Sequence, residues 1–218
     1  MFDNLVTYHV HKRDPLPANN APSMDSGQAL AYQYALAGNG LFIRAETHFF
    51  EAVLPSAPSP VRGLAPLHQH FRLKVPRIPA RLLDTILIDA RCARRPDGGR
   101  SDNGLHEVLY QFHHHGQTVQ VKKPPQRTTG VSVMATSGND SAILCDLHSH
   151  GNMRAFWSST DDADEQSARI FVVVGKLDME PEIRLRVGVY GYWQSLPVTA
   201  VFTSAGSFKD LYLKEKKL

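Results

Sequence analysis

The stretch "LCDLHSHGNMRAFWSSTDDADEQ", residues 144–166, decides how the chain is read. An apolar run, 142–147, leads into two histidines two apart, His148 and His150. Seven residues then precede Ser158, and an acidic run follows: Asp161, Asp162, Asp164 and Glu165. On a strand, residues i and i+2 point to one face, so an H-x-H pair can offer two imidazoles to one metal ion. Such an ion needs a third nitrogen or oxygen ligand, and a catalytic one keeps a further position for water. Asp161 is the candidate third ligand, since a loop of this length can fold back and start a helix. A plainer reading stands beside it. Ser158 is also a good helix N-cap, with Asp161 at the capping-box position where acids are favoured. The two readings are compatible.

The H-x-H pattern alone carries little. The chain has 11 histidines and four such pairs: His9/His11, His68/His70, His113/His115 and His148/His150. The first three are expected to be exposed loop or turn histidines. Among them His113/His115 is the best alternative ligand pair, because it lies near Glu107 in sequence.

Outward from this stretch, 218 residues suffice for one large domain or two small ones with a buried core. Hydrophobic content is 42% and charged content 21%, and the net charge is only +3, with basic residues scattered. That argues against a nucleic-acid surface. Cys92 and Cys145 form no CxxC, which excludes a cysteine-built zinc site and disfavours a disulfide scaffold. No apolar run approaches membrane-spanning length and the N-terminus has no signal-like apolar region, so the expectation is a soluble, cytoplasmic protein with no membrane partner. The tail 214–217 reads as a solvated end.

Residues 1–26 read as loosely ordered, and 27–38 as a short helix. Residues 40–55 read as strand, with a hairpin bend near Glu46-Thr47. The segment 55–79 holds six of the 14 prolines and is the expected boundary or connection. Residues 80–91 place Leu82, Leu83, Ile86, Leu87 and Ala90 on one helical face. Strands are expected at 106–112 and 117–123 around a turn at 113–116, then at 130–136, 141–150 and 169–175, the last a central one. Residues 160–169 are helix-compatible. Residues 182–192 alternate apolar and charged positions as a half-buried strand would, and 198–202 is expected as the last strand. The order of elements argues for an α+β (mixed α/β) domain rather than a regular βαβ series.

His148-Ser149-His150, seven residues, Ser158, two residues, Asp161 resembles the JAMM motif of the JAB/MPN/Mov34 metalloprotease family, without gaps. Given an H-x-H, serine and aspartate at both offsets should arise by chance roughly once in a few hundred trials, and four pairs raise that to about one in a hundred. The aromatic residues before Ser158 resemble prokaryotic members. The resemblance covers about residues 79–205. It implies a central β-sheet flanked by helices at 76–218. Residues 1–75 lie outside it, and their strand-like stretch 40–54 and the proline-dense 55–79 predict a small, partly β extension that supplies no metal ligand.

The resemblance also implies zinc (Zn2+) held by His148, His150 and Asp161, with Ser158 helping to hold the oxyanion. It further implies a general-base glutamate on an earlier strand. Glu107 fits best, lying 41 residues before His148 and just ahead of an apolar strand; Glu51, ahead of the predicted helix, fits worse. Gly151 departs from the family, where many members have proline, and the loop 94–104 before Glu107 is longer than expected. The implied activity is hydrolysis of an isopeptide or peptide bond beside a ubiquitin-like C-terminal tail. The alternatives are a non-catalytic MPN-type interaction module and a zinc-binding subunit that cuts nothing. An extension ahead of such a domain is similar to the arrangement in PRTRC cassettes, which implies ThiF/E1-like and E2-like proteins as partners.

Overall fold

The computed structural model describes residues 6–10 (backbone only), 31–93, 105–116, 118–128, 133–135 and 142–212. The expected loop 94–104 and the tail 214–217 lie outside the described residues. The chain divides into two compact units, one of 1–75 with 166–168 and 188–194, the other of 76–165, 169–187 and 195–218.

In the first unit, five strands pair in chain order: β1 (Val6–Val10), β2 (Tyr32–Ala37), β3 (Gly40–Glu46), β4 (Phe50–Pro58) and β5 (His70–Leu73). Two expectations are corrected here. Val6–Val10 is a strand parallel to β2, not a loose segment, and residues 32–37 are a strand, not part of a helix. The alanines of β2 suggested a helix, but they obey a period of two. Gln33, Ala35 and Ala37 are buried, while Tyr32, Tyr34 and Leu36 are more exposed. The overlooked signal is "AGNG". Ala37 pairs with Gly40 across a two-residue turn, and a Cβ on Gly40 would meet Ala57 O at 2.4 Å. The hairpin bend at 46–47 holds: Phe49 and Phe50 N–H both donate to Thr47 Oγ1 at 3.1 Å between β3 and β4.

The second unit opens with α1 (Arg81–Cys92), which buries Leu83, Ile86, Leu87 and Ala90 as its periodicity predicts. Then come β6 (Leu109–His115), β7 (Thr118–Lys122), β8 (Gln126–Thr128), β9 (Val133–Ala135), β10 (Ile143–Ser149), α2 (Ser159–Asp164) and β11 (Arg169–Gly175). β12 (Glu182–Val189), β13 (Tyr192–Leu196) and β14 (Lys209–Asp210) complete the order. The larger sheet runs β13-β12-β11-β10-β6-β7, with β14 beside β12, and β8 pairs with β9. β11 is central and its apolar run 170–174 is buried throughout, as expected. The described residues are mostly β-sheet with two helices. The expected α+β balance is therefore met only in part, since α2 is a single six-residue element, shorter than the expected 160–169.

Three further corrections have physical causes. Residues 182–189 are not half-buried: only Arg184 is partly exposed. The charged positions Glu182 and Arg186 are neutralised by ion pairs, with Lys176 at 2.6 Å and Glu165 at 2.6 Å, so both can be buried. Residues 198–200 form a 3-10 turn rather than a strand; Pro197 sits at its start with φ −63°, and Ala200 N donates to Pro197 O. His113 is not an exposed turn residue. It lies buried within β6, and the turn begins after it, at Gly116 with φ +62°.

Topology positions the second unit's loops. β10 is antiparallel to β6 but parallel to β11. Parallel neighbours need a crossover, and here it runs over residues 150–168 and contains α2. The carboxyl end of β10 is thus a switch in strand direction, and in sheets with parallel strands such ends form crevices.

Candidate metal centre

His148 and His150 leave the carboxyl end of β10, where Val173 and Leu109 flank His148 on either side. His150 N donates to Val174 O at 2.8 Å, so the chain stays pinned to β11 one residue beyond the strand. Gly151 then turns at φ +55°. Proline, fixed near −65°, cannot adopt that angle, which accounts for the departure from the family pattern.

Asp161 and Ser158 come from α2. Ser158 caps the helix with its Oγ accepting from Asp161 N at 3.2 Å, while Ser158 N donates to Asp161 Oδ2 at 2.6 Å. This is the reciprocal capping box expected from the spacing. It also holds the Asp161 carboxylate so that Oδ1 faces His148.

The three side chains converge. His148 Nε2 lies 3.1 Å from His150 Nε2 and 3.2 Å from Asp161 Oδ1, and His150 Nε2 lies 3.9 Å from Asp161 Oδ2. Tetrahedral zinc with bonds near 2.0–2.1 Å sets its ligand atoms about 3.3 Å apart. The two separations from His148 fit that requirement, the third is wider, and two nitrogens with one carboxylate form a donor set that zinc takes. Among the described residues this is the one group of three or more such side chains close enough to hold a metal ion. His68, His70, His113 and His115 are not part of it.

Glu107 arrives from the neighbouring chain segment. Val108 N donates to Ser149 Oγ at 3.1 Å, and Ser149 N donates to Val108 O at 3.0 Å. The serine between the two histidines thus stitches the start of β6 to the end of β10 and draws Glu107 to the site. Sequence reasoning overlooked this role of Ser149; its clue was a small hydroxyl residue between two candidate ligands. Glu107 is only 5% exposed. Burial pushes its carboxyl up to about 7; His148 works against that rise and Asp161 with it. Glu51 belongs to β4 of the first unit and pairs with Arg72 at 2.6 Å.

Burial likewise pushes the His150 imidazole down to about 4, with His148 adding to the effect and Asp161 opposing it. A neutral imidazole is the form that ligates metal. Burial raises Asp161, but the hydrogen bond and charge of His148 and the two bonds to Ser158 outweigh it and hold the carboxyl well below the usual range.

The connecting residues 151–157 are pressed against the end of β11. Lys176 N donates to Met153 O and Leu177 N to Gly151 O. A Cβ on Gly175 would stand 2.4 Å from Met153 O and 2.5 Å from Ala155 N. Gly175→Ala is therefore expected to displace the ligand-bearing loop. The overlap is with backbone and cannot be relieved by a rotamer change. Thermal melts should show a loss of about 1–3 kcal/mol, and chelator competition should show weaker zinc binding. A variant matching the original protein in both would mean the loop is not held by this contact.

A strand end supplying two histidines, and a capped helix returning a carboxylate, define a candidate mononuclear metal centre. Residues 84–187 match the family model described as prokaryotic homologs of the JAB domain, a span shorter than the resemblance suggested and one that contains every residue of the centre. A search of curated proteins finds no match to the chain. Over these residues the chain is similar to JAB domains of the prokaryotic type, a family that includes zinc-dependent JAMM hydrolases and non-catalytic members.

Proposed function

We propose that this protein is a zinc-dependent hydrolase of JAMM type, acting on an isopeptide or peptide bond. The observation that carries the reading is the compact triangle of two imidazole nitrogens and a carboxylate oxygen, with the buried Glu107 carboxyl in electrostatic reach of two of its members.

His148, His150 and Asp161 would hold the ion. When bound, zinc supplies a Lewis acid for the carbonyl and lowers the pKa of water to roughly 7. Glu107, a buried carboxyl beside two of these residues, would take the proton of the attacking water and deliver it to the leaving amine. The Ser158 oxygen accepts from Asp161 N, which still leaves its hydroxyl proton to donate. Donated to the scissile carbonyl oxygen as it gains charge, that bond is worth roughly 3–4 kcal/mol in comparable hydrolases. The ring of Phe156, 42% exposed and edge-on to His150 at 4.6 Å, would give the substrate chain an apolar contact beside the site.

The substrate we favour is a ubiquitin-like tail, whose extended chain can be recognised largely through its backbone. ThiF/E1-like and E2-like proteins of the same cassette, a PRTRC-type system, are the proposed partners. Both cysteines are free thiols, which suits the reducing cytoplasm as its place of work. Among the described residues, no helix is long and apolar enough to cross a membrane.

The test uses protein purified without a histidine tag. Elemental analysis should find one zinc per chain. A fusion joined through a ubiquitin-like C-terminal tail should be cut, and a chelator should stop the cutting. Zinc without cleavage of any such fusion would favour the non-catalytic zinc-binding subunit. Protein that acquires no zinc would reject both readings.

A further inference from the structure

The charged positions 182, 184 and 186 of β12 share one face of the strand, and that face meets the ligand-bearing loop and helix rather than water. Glu182 Oε2 accepts from Ala155 N at 3.4 Å, and Arg184 Nε donates to Ala155 O at 2.8 Å. Arg186 reaches furthest. Its guanidinium carbon lies 3.9 Å from the centre of the Trp157 ring, and that ring stands edge-on to His148 at 6.2 Å. The same guanidinium contacts two carboxylates of the helical turn: Nε donates to Glu165 Oε2 at 2.7 Å, and Nη1 lies 2.8 Å from Asp162 Oδ1.

We propose that Arg186 is a positioning residue for the metal centre, fixing the ligand Asp161 through its two acidic neighbours and the ligand His148 through Trp157. The physical case rests on geometry. Asp161 sits on a helix of six residues, too short to hold its own shape. The capping box fixes the start of that helix but not its distance from β10. Arg186 is 5% exposed and belongs to a strand two places from β10 in the sheet, so it offers a rigid reference. A planar guanidinium can stack on an indole with its face and bind carboxylates with its edge at once; an ammonium cannot. The arrangement couples both ligand-bearing segments to one side chain. Partners of metal ligands are typically worth 10–100-fold in metal affinity.

This inference rests on the metal reading above, and its test separates the two. Arg186→Met alone would leave the buried Glu165 carboxylate without its counter-charge and could fail to fold. The double variant Arg186→Met/Glu165→Gln removes the clamp without stranding that charge. Arg186→Lys keeps the charge but loses the flat stack. The readouts are zinc affinity by chelator competition, the change in tryptophan emission on adding zinc, and melting of zinc-stripped protein. We expect the double variant to melt near the original protein yet bind zinc about 10-fold more weakly. Arg186→Lys should bind more weakly by a few-fold and give a smaller emission change. A purely structural arginine would instead lower the melting temperature of stripped protein and leave the affinity of the folded fraction unchanged. Wild-type affinity in both variants overturns the role of Arg186 alone. Original protein that binds no zinc overturns the metal reading and this one with it.

Discussion

Glu107→Gln is expected to keep zinc bound while lowering turnover by roughly two to four orders of magnitude, the usual worth of general acid–base catalysis. The three candidate ligands are committed to the ion, so the proton of the attacking water needs another acceptor. Glu107 is the buried carboxyl whose charge is felt by both His148 and Asp161. Glutamine keeps the size and a hydrogen-bonding oxygen but cannot take a proton. Unchanged turnover in a zinc-loaded variant would remove Glu107 from the mechanism.

The same substitution has an opposite effect on stability. In protein stripped with a chelator, the folded Glu107 carboxyl titrates near 7 and its ordinary value is 4.5. Below pH 4.5 both states hold the proton and the site makes no difference. Between 4.5 and 7 the unfolded chain releases it first, so stability falls as pH rises, and the loss is complete above 7. Glutamine has no proton to lose. Stripped Glu107→Gln should therefore be more stable than the original at pH 8, by on the order of 1–3 kcal/mol, and equal to it near pH 4. Melts at both pH values check the sign. Equal melting at pH 8 would mean that the carboxyl is better solvated than its 5% exposure indicates. A gain in stability with a loss of turnover is what a site kept for chemistry should give.

The contrast between what the chain disclosed early and late follows from range. His148, His150, Ser158 and Asp161 were legible because their relation is local: a strand period of two and a helical cap at i, i+3. α1 and β11 were legible because their apolar patterns are strong. Glu107 was reached only through the family resemblance, and what ties it to the site is the side chain of Ser149, a contact over 41 residues. β2 was misread because alanine favours helix, while its burial is set by a sheet whose partner lies beyond a Gly-Asn turn. β12 was misread for a deeper reason. Alternating charges on a strand ordinarily mean one wet face, yet the partners that keep Glu182 and Arg186 dry are Lys176, Asp162 of α2 and Glu165 just after it. Nothing in the alternation itself distinguishes a solvated face from one that grips a neighbouring loop.

Asp161 brings the two early readings together, and replacing it should show both. One of its oxygens accepts from Ser158 N to close the helix cap, and the other faces His148 Nε2. His148, by contrast, takes no part in the cap. His148→Ala is therefore expected to abolish stoichiometric zinc and cleavage while the helix stays capped, so stripped protein should melt close to the original. Asp161→Ala should lose zinc and cleavage just as fully, and should also lose about 1 kcal/mol or somewhat more of stability in stripped protein, the usual worth of a cap. Asp161→Asn separates the functions further. It keeps an oxygen for the Ser158 amide but removes the charge that balances the ion, so stability should largely return and zinc binding should not. Elemental analysis gives the metal content and thermal melts give the cap. If His148→Ala retained one zinc per chain, the ligand assignment would fail. If Asp161→Ala and His148→Ala melted alike, the bond from Ser158 N to the Asp161 carboxylate would have no energetic role, and the short helix would have to be held by the Ser158 hydroxyl and by Arg186 and its ion pairs.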